Sequence, residues 1–144
     1  MRVWFTVKVK FAKETEDGLL KSVTEQYLVD GVSFTEVESI IYDRLGSQIR
    51  GDFQVTHIAK SNIVDLFFYE DADVWFKAKV QYITHDLNSG KEEKETQYML
   101  VTANGVPQAH ERIQENLSNM LVSFQVPDVV ETKIVDVFPY DRSE

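Results

Sequence analysis

Tryptophan and lysine recur together at the same spacing in two stretches, VWFTVKVKF from Val3 and VWFKAKVQY from Val74. If each stretch is a β-strand, alternation puts Trp4, Thr6, Lys8 and Lys10 on one face, and Trp75, Lys77, Lys79 and Gln81 on its counterpart. Aromatic rings interleaved with ammonium groups are what sheet platforms for single-stranded nucleic acid use, because bases stack on the ring while phosphates meet the lysine. Trp4, Lys8, Trp75 and Lys79 are therefore candidate binding residues. An energetic objection stands against this. A tryptophan buries roughly 150–250 Å², worth on the order of 4–6 kcal/mol at about 25 cal/mol per Å², so two wet rings invite aggregation. Cover from another element or a partner, with lysine stems alongside, is the expectation.

The second candidate is an acidic pair. Asp65 and Asp136 fall at the same place in IVDLFFY and IVDVFPY. Across a two-fold axis, two such carboxylates would share a proton or a cation. An ion pair with Lys8 and Lys79, or plain exposure, is the simpler expectation, since no third ligand or general base accompanies them. His57, His85 and His110 lie at non-equivalent positions with no metal-ligand spacing. The glycines sit where turns and caps are expected, and no Ser, Thr or Lys occurs in a nucleophile motif. The chain has no cysteine, which excludes thiolate nucleophiles and thiolate metal sites. No catalytic residue, cofactor or metal site is expected, and a non-enzyme is the favoured reading.

The elements that must position these residues are written twice. A shift of 71 positions carries Val3, Trp4, Phe5, Lys8 and Val9 onto Val74, Trp75, Phe76, Lys79 and Val80, and Gln26 and Tyr27 onto Gln97 and Tyr98. FQV at Phe53 returns at Phe124, and the IVD segments match to their final tyrosines, Tyr69 and Tyr140. A register held over this length signals internal repetition. Val3 to Phe11 alternates as a half-buried strand, a polar turn follows at Glu14 to Gly18, and a second strand runs from about Ser22 to Val29. Val74 to Tyr82 and Glu95 to Val101 repeat that hairpin. Ser33 and Glu36 have capping-box spacing, Phe34, Val37, Ile41 and Leu45 recur at helical spacing, and Gly46 is placed to supply a left-handed cap. Their counterparts, one residue further on, are Val106, Ala109, Ile113 and Leu117, with Pro107 in the first turn. Each half ends in a β-rich run, Phe53 to Tyr69 and Phe124 to Tyr140, read as one long bent strand with a bulge in preference to two strands joined near Ser61 and Asn62.

The expected architecture is α+β. Two tandem ββαβ(β) repeats, 1–72 and 73–144, pack about a pseudo-two-fold axis into one compact domain over 1–144 with largely antiparallel sheet. A half of this size buries too little apolar surface to stand comfortably alone. The formal charge of -9 opposes a bulk electrostatic grip on phosphates or anionic membranes. No apolar run approaches the roughly 20 residues that span a bilayer, and the alternating N-terminus is unlike a signal peptide, so a cytoplasmic protein without a membrane partner is expected.

In WF-x-x-KV, TEQYLVDGVSFTEVE, FQV and the closing DVFPY, the chain resembles a family of small uncharacterised proteins from gut Bacteroidetes and their phages, classed as a domain of unknown function. The resemblance spans nearly the whole chain and implies a bacterial or phage cytosolic setting. It implies no catalytic or binding residues. The functional expectation is a non-enzymatic interaction or accessory protein that binds a macromolecular partner, a protein or a second copy of itself, through the sheet face or the groove between the repeats. The alternative is a single-stranded nucleic-acid-binding protein using Trp4, Lys8, Trp75 and Lys79.

Overall fold

The computed structural model describes residues 2–140. In chain order the elements are Val3–Glu14 (β1), Leu20–Gly31 (β2), Phe34–Leu45 (α1), Phe53–Lys60 (β3), Ile63–Phe67 (β4), Val74–His85 (β5), Glu92–Ala103 (β6), Val106–Asn116 (α2), Ser123–Glu131 (β7) and Ile134–Phe138 (β8). The ββαββ pattern thus appears twice in an α+β fold. Gly18 and Gly90, both at positive φ, turn the two hairpins, whose strands are longer than the alternation alone required. Ser33 caps α1 by accepting from the Glu36 amide at 3.1 Å, and Glu36 in return accepts from the amide of Val32. Pro107 stands in the first turn of α2.

Two of the expected details are corrected. Gly46 is not left-handed: its φ is -58°, its amide donates to Tyr42 O, and Gln48 and Ile49 both donate to Leu45 O. Right-handed turns therefore continue past α1, and the left-handed reversal comes at Gly51, φ +82°. The terminal β-rich runs are also not single bent strands. A bulge does occur, inside β3 and away from the join: His57 lies opposite Lys8 and Val55 opposite Val9, leaving Thr56 as the extra residue. The run nevertheless divides at Ser61 and Asn62, because β3 and β4 belong to different sheets and do not pair with each other, so no hairpin turn joins them.

That change of sheets is the organising feature. The sheet orders are β3-β1-β2-β8 and β4-β6-β5-β7. The last strand of each half runs parallel to the second hairpin strand of the other half: Tyr27 lies opposite Asp136, and Met99 opposite Asp65. All other pairings are antiparallel. One compact unit consists of the chain up to Ser61 with the chain from Lys133 onward, and the other of Asn62–Thr132. We call them the first and second units. The exits are built alike. Ser61 N–H donates to Trp4 O at 2.8 Å, and Thr132 N–H donates to Trp75 O at 2.9 Å.

Each unit packs one helix on one sheet face. In the first, Phe5, Val7, Val9, Tyr27 and Val29 meet Val37, Ile41 and Leu45 of α1 and Phe138 of β8. In the second, Phe76, Ala78, Val80, Met99 and Val101 meet Ala109, Ile113 and Leu117. Phe34 and Val106, the first apolar positions of the two helices, are exposed, although Phe34 still sets its ring edge-on to Phe5 at 5.3 Å.

Pairing also re-reads one sequence match. Val7 lies opposite Tyr27, but its counterpart Ala78 lies opposite Met99, so the extra residue of the second half falls in its hairpin turn. Tyr27 and Tyr98 consequently occupy opposite faces, because a one-residue offset inverts a strand's sides. The same offset makes Gly31 the counterpart of Ala103. A Cβ on Gly31 would meet Val37 Cγ2 at 2.5 Å, whereas in the second unit Ala103 coexists with Ala109. Gly31 with Val37 and Ala103 with Ala109 are two solutions to the same contact. Gly31→Ala is expected to destabilise by about 1–3 kcal/mol through overpacking. Adding Val37→Ala should relieve part of this, giving a coupling of roughly 0.5–3 kcal/mol in a urea-unfolding double-mutant cycle. Strictly additive losses would reject the contact.

Candidate interaction face

The face of the first sheet turned away from α1 is set by the even positions of β1. Trp4 and Thr6 are half-buried, and Lys8 and Lys10 are exposed. Across the ladders lie Gln26 and Thr24 on β2, and His57 and Gln54 on β3, and of these only Gln26 is partly covered. Neither Lys8 nor Lys10 makes an ion pair among the described residues; the salt bridges there are made by Arg2 and Arg112. Towards Thr6 the same face is covered, since Leu28 opposite it is 1% exposed; the open part is a polar, cationic patch around Lys8 and Lys10.

On the matching face of the second unit several of the corresponding side chains have partners within the unit. Trp75 is 6% exposed and lies beside Phe68, ring centroids 6.2 Å apart. Lys77 Nζ stands 4.6 Å above the Tyr98 ring. Gln125 donates to Gln81 at 2.7 Å, and Gln81 to Thr96 at 3.5 Å. Lys79 is half-buried with Asp128 opposite it. The four candidate binding residues are thus divided two and two between the units, and Lys8 alone is exposed. Charge divides the same way. The first unit carries ten basic and twelve acidic residues, and the second five and twelve, so most of the acid excess belongs to the second.

The exchange sends Asp65 to the second unit and Asp136 to the first. Both are exposed edge-strand residues whose carboxylates accept from the next amide, Leu66 N–H at 2.9 Å and Val137 N–H at 2.8 Å. No group of three or more His, Asp or Glu residues that would hold a metal occurs among the described residues. Asp136 acts instead on Tyr27, whose ring is buried and stacked on Phe138 at 5.5 Å. Burial first, then the charge and hydrogen bond of Glu25 and the charge of Asp136, push the Tyr27 hydroxyl up to about 12. Because the folded value lies above the ordinary 10, this contribution to stability is complete below pH 10 and is lost as pH rises towards 12. A late phenolate absorbance step, absent in Tyr27→Phe, is the expected titration; its persistence in the variant would assign it elsewhere. Beside Tyr27, a cleft of about 510 Å³ opens where the hairpin extends beyond α1, lined by Phe11, Lys13, Ile49, Arg50 and Val135. Twelve strand residues span about 40 Å and twelve helical ones about 18 Å, so one helix covers only part of its hairpin.

Sequence reasoning missed the arginines. Arg112 is 8% exposed; it donates to Thr102 O at 2.9 Å and Asp71 Oδ2 at 2.7 Å, and its guanidinium lies 4.1 Å above the Tyr69 ring. In the first unit Arg2 donates to Asp30 O and Glu36 Oε1 and lies 3.9 Å above Tyr140. Asp30 and Thr102 are counterparts, so each unit clasps the tyrosine that ends its exchanged strand with a guanidinium anchored on the same carbonyl. The repeated tyrosines were the visible signal. Arg2 precedes β1 and Arg112 lies in α2, so no shared position betrays their common role.

No helix among the described residues is long and apolar enough to cross a membrane. Compared with curated proteins, the sequence matches none. The family model described as a domain of unknown function (DUF4494) matches residues 3–140, a span that holds every described helix and strand, and the chain belongs to this family.

Proposed function

We propose that this is a non-enzymatic interaction protein that binds a macromolecular partner, a protein in preference to a nucleic acid, on the open sheet face of the first unit. The observation that carries the reading is the asymmetry between two faces of common pattern. One satisfies its own tryptophan, lysine and glutamines, and the other leaves Lys8, Lys10, Gln54 and His57 to solvent. Cations held in a row on a sheet face steer a partner of complementary charge. Burial of Trp75 weighs against a stacking platform made from both tryptophans. A bacterial or phage cytosol and an accessory role complete the proposal.

The test is affinity capture from a bacterial lysate with the wild type beside Lys8→Glu/Lys10→Glu. A protein held by the wild type and lost by the variant supports the reading; identical capture by both overturns it. Titration of tryptophan fluorescence with a mixed-sequence single-stranded oligonucleotide decides the alternative. Saturable quenching that weakens with salt would replace the protein partner by nucleic acid.

A further inference from the structure

The two sheets have four edges, and strand edges with unpaired backbone are usually blunted. β4 and β8 are five residues long and irregular in register. β7 carries Pro127, which has no amide proton, followed by the exposed acids Asp128 and Glu131. β3 differs. It is eight residues long, lacks proline and acid, and has Thr56 where β7 has Pro127. Its inner flank pairs with β1 and its outer flank with no strand.

The side chains beside that flank are sorted by face. On the helix side, Phe53, Val55 and Ile58 pack against the core only partly, and Tyr42 of α1, stacked on Phe53 at 5.0 Å, is 47% exposed. On the other side are Gln54 and His57, with Lys10 and Lys8 next to them on β1. A strand added here would meet an apolar row with one set of residues and Gln54 and His57 with the other, the cationic row of Lys8 and Lys10 ammoniums reaching over from β1, about 10 Å from the added backbone. We infer that β3 accepts, by strand addition, an extended segment alternating apolar and acidic residues. Main-chain hydrogen bonds supply the affinity of such a complex, and the two rows supply the sequence preference. This deepens the proposed function, since the cationic row belongs to the face described there.

The probe is a blocked octapeptide of alternating valine and glutamate, the length of β3, compared with the valine–lysine peptide by fluorescence polarisation and amide NMR. The expected result is saturable binding of the glutamate peptide, with shifts confined to β3 and β1. Thr56→Pro copies the residue that β7 tolerates at the same bulge. It should weaken binding by roughly tenfold or more with thermal stability retained. Lys8→Glu/Lys10→Glu alters only exposed side chains and should invert the preference towards the lysine peptide. No saturable binding, or an affinity and preference unmoved in the folded variants, overturns the inference. If capture from lysate still depends on Lys8 and Lys10 in that event, strand addition alone is overturned. If that dependence is also absent, the proposed function falls with it.

Discussion

A chain truncated after Thr132 should lose the order of its N-terminal half while keeping that of residues 62–132. The reason is the exchange: β8 is the fourth strand of the first sheet, and Phe138, 4% exposed, fills the core beneath Tyr27. Removing a buried phenylalanine costs about 3–5 kcal/mol, and the parallel ladder from Gln26 to Val29 goes with it. That is a large part of the roughly 5–15 kcal/mol that holds an ordinary domain together. Amide exchange read by NMR is the appropriate measurement. Protection should collapse in β1, β2 and β3 and persist in β5, β6 and β7. Uniform protection, or collapse confined to residues near the cut, would show that β8 contributes little to its sheet.

Arg112→Ala should be the most damaging polar substitution. The guanidinium is nearly buried, so its removal orphans the Thr102 carbonyl at about 1–3 kcal/mol and deletes a stacked cation worth roughly 0.5–2 kcal/mol. Thr102 itself is wholly buried and exchanges hydrogen bonds with the backbone of Tyr69, so the loss propagates to the end of β4. A drop of about 2–4 kcal/mol in urea unfolding follows from those terms. Asp71→Asn should do far less, because the carboxylate is exposed and only its bond to Arg112 is weakened. That hydrogen bond, opposed by some desolvation and aided by the arginine's charge, holds the Asp71 carboxyl below its usual value. Its stabilisation is therefore present above the ordinary carboxylate range and fades as pH falls through the lowered value. Equal losses for the two variants would assign the role to the ion pair instead of the carbonyl and ring contacts.

How far the sequence carried these conclusions varies by element. The hairpins, both helices and the Ser33 cap follow from alternation, spacing and turn chemistry, and all are local, whereas the bulge was expected without a position and its place at Thr56 was not legible. The exchange was illegible because Ile63–Phe67 and Ile134–Phe138 are near-copies, so either fits beside β2 or β6 with its apolar residues inward. What decides is the sheet the chain joins after Ser61 and Thr132, and the bonds there, such as Thr132 Oγ1 to Trp75 O at 2.8 Å, are long-range contacts that periodicity does not reveal. Trp4 and Trp75 show the same limit. Their positions are equivalent in pattern, but their exposure depends on neighbours such as Phe68, whose counterpart in the other half is Pro139. Gln26–Tyr27 and Gln97–Tyr98 were misread as counterparts because identity outweighed register.

The exchange also bears on how the protein is made. Val29 emerges from the ribosome long before Phe138, and at roughly 5–20 residues per second the wait is on the order of 5–20 s. During that interval the outer flank of β2, apolar and hydrogen-bond hungry, has no native neighbour. Folding of the first-synthesised sheet is thus deferred until its most distant strand arrives, and the nascent chain must be shielded from pairing with other chains in the meantime.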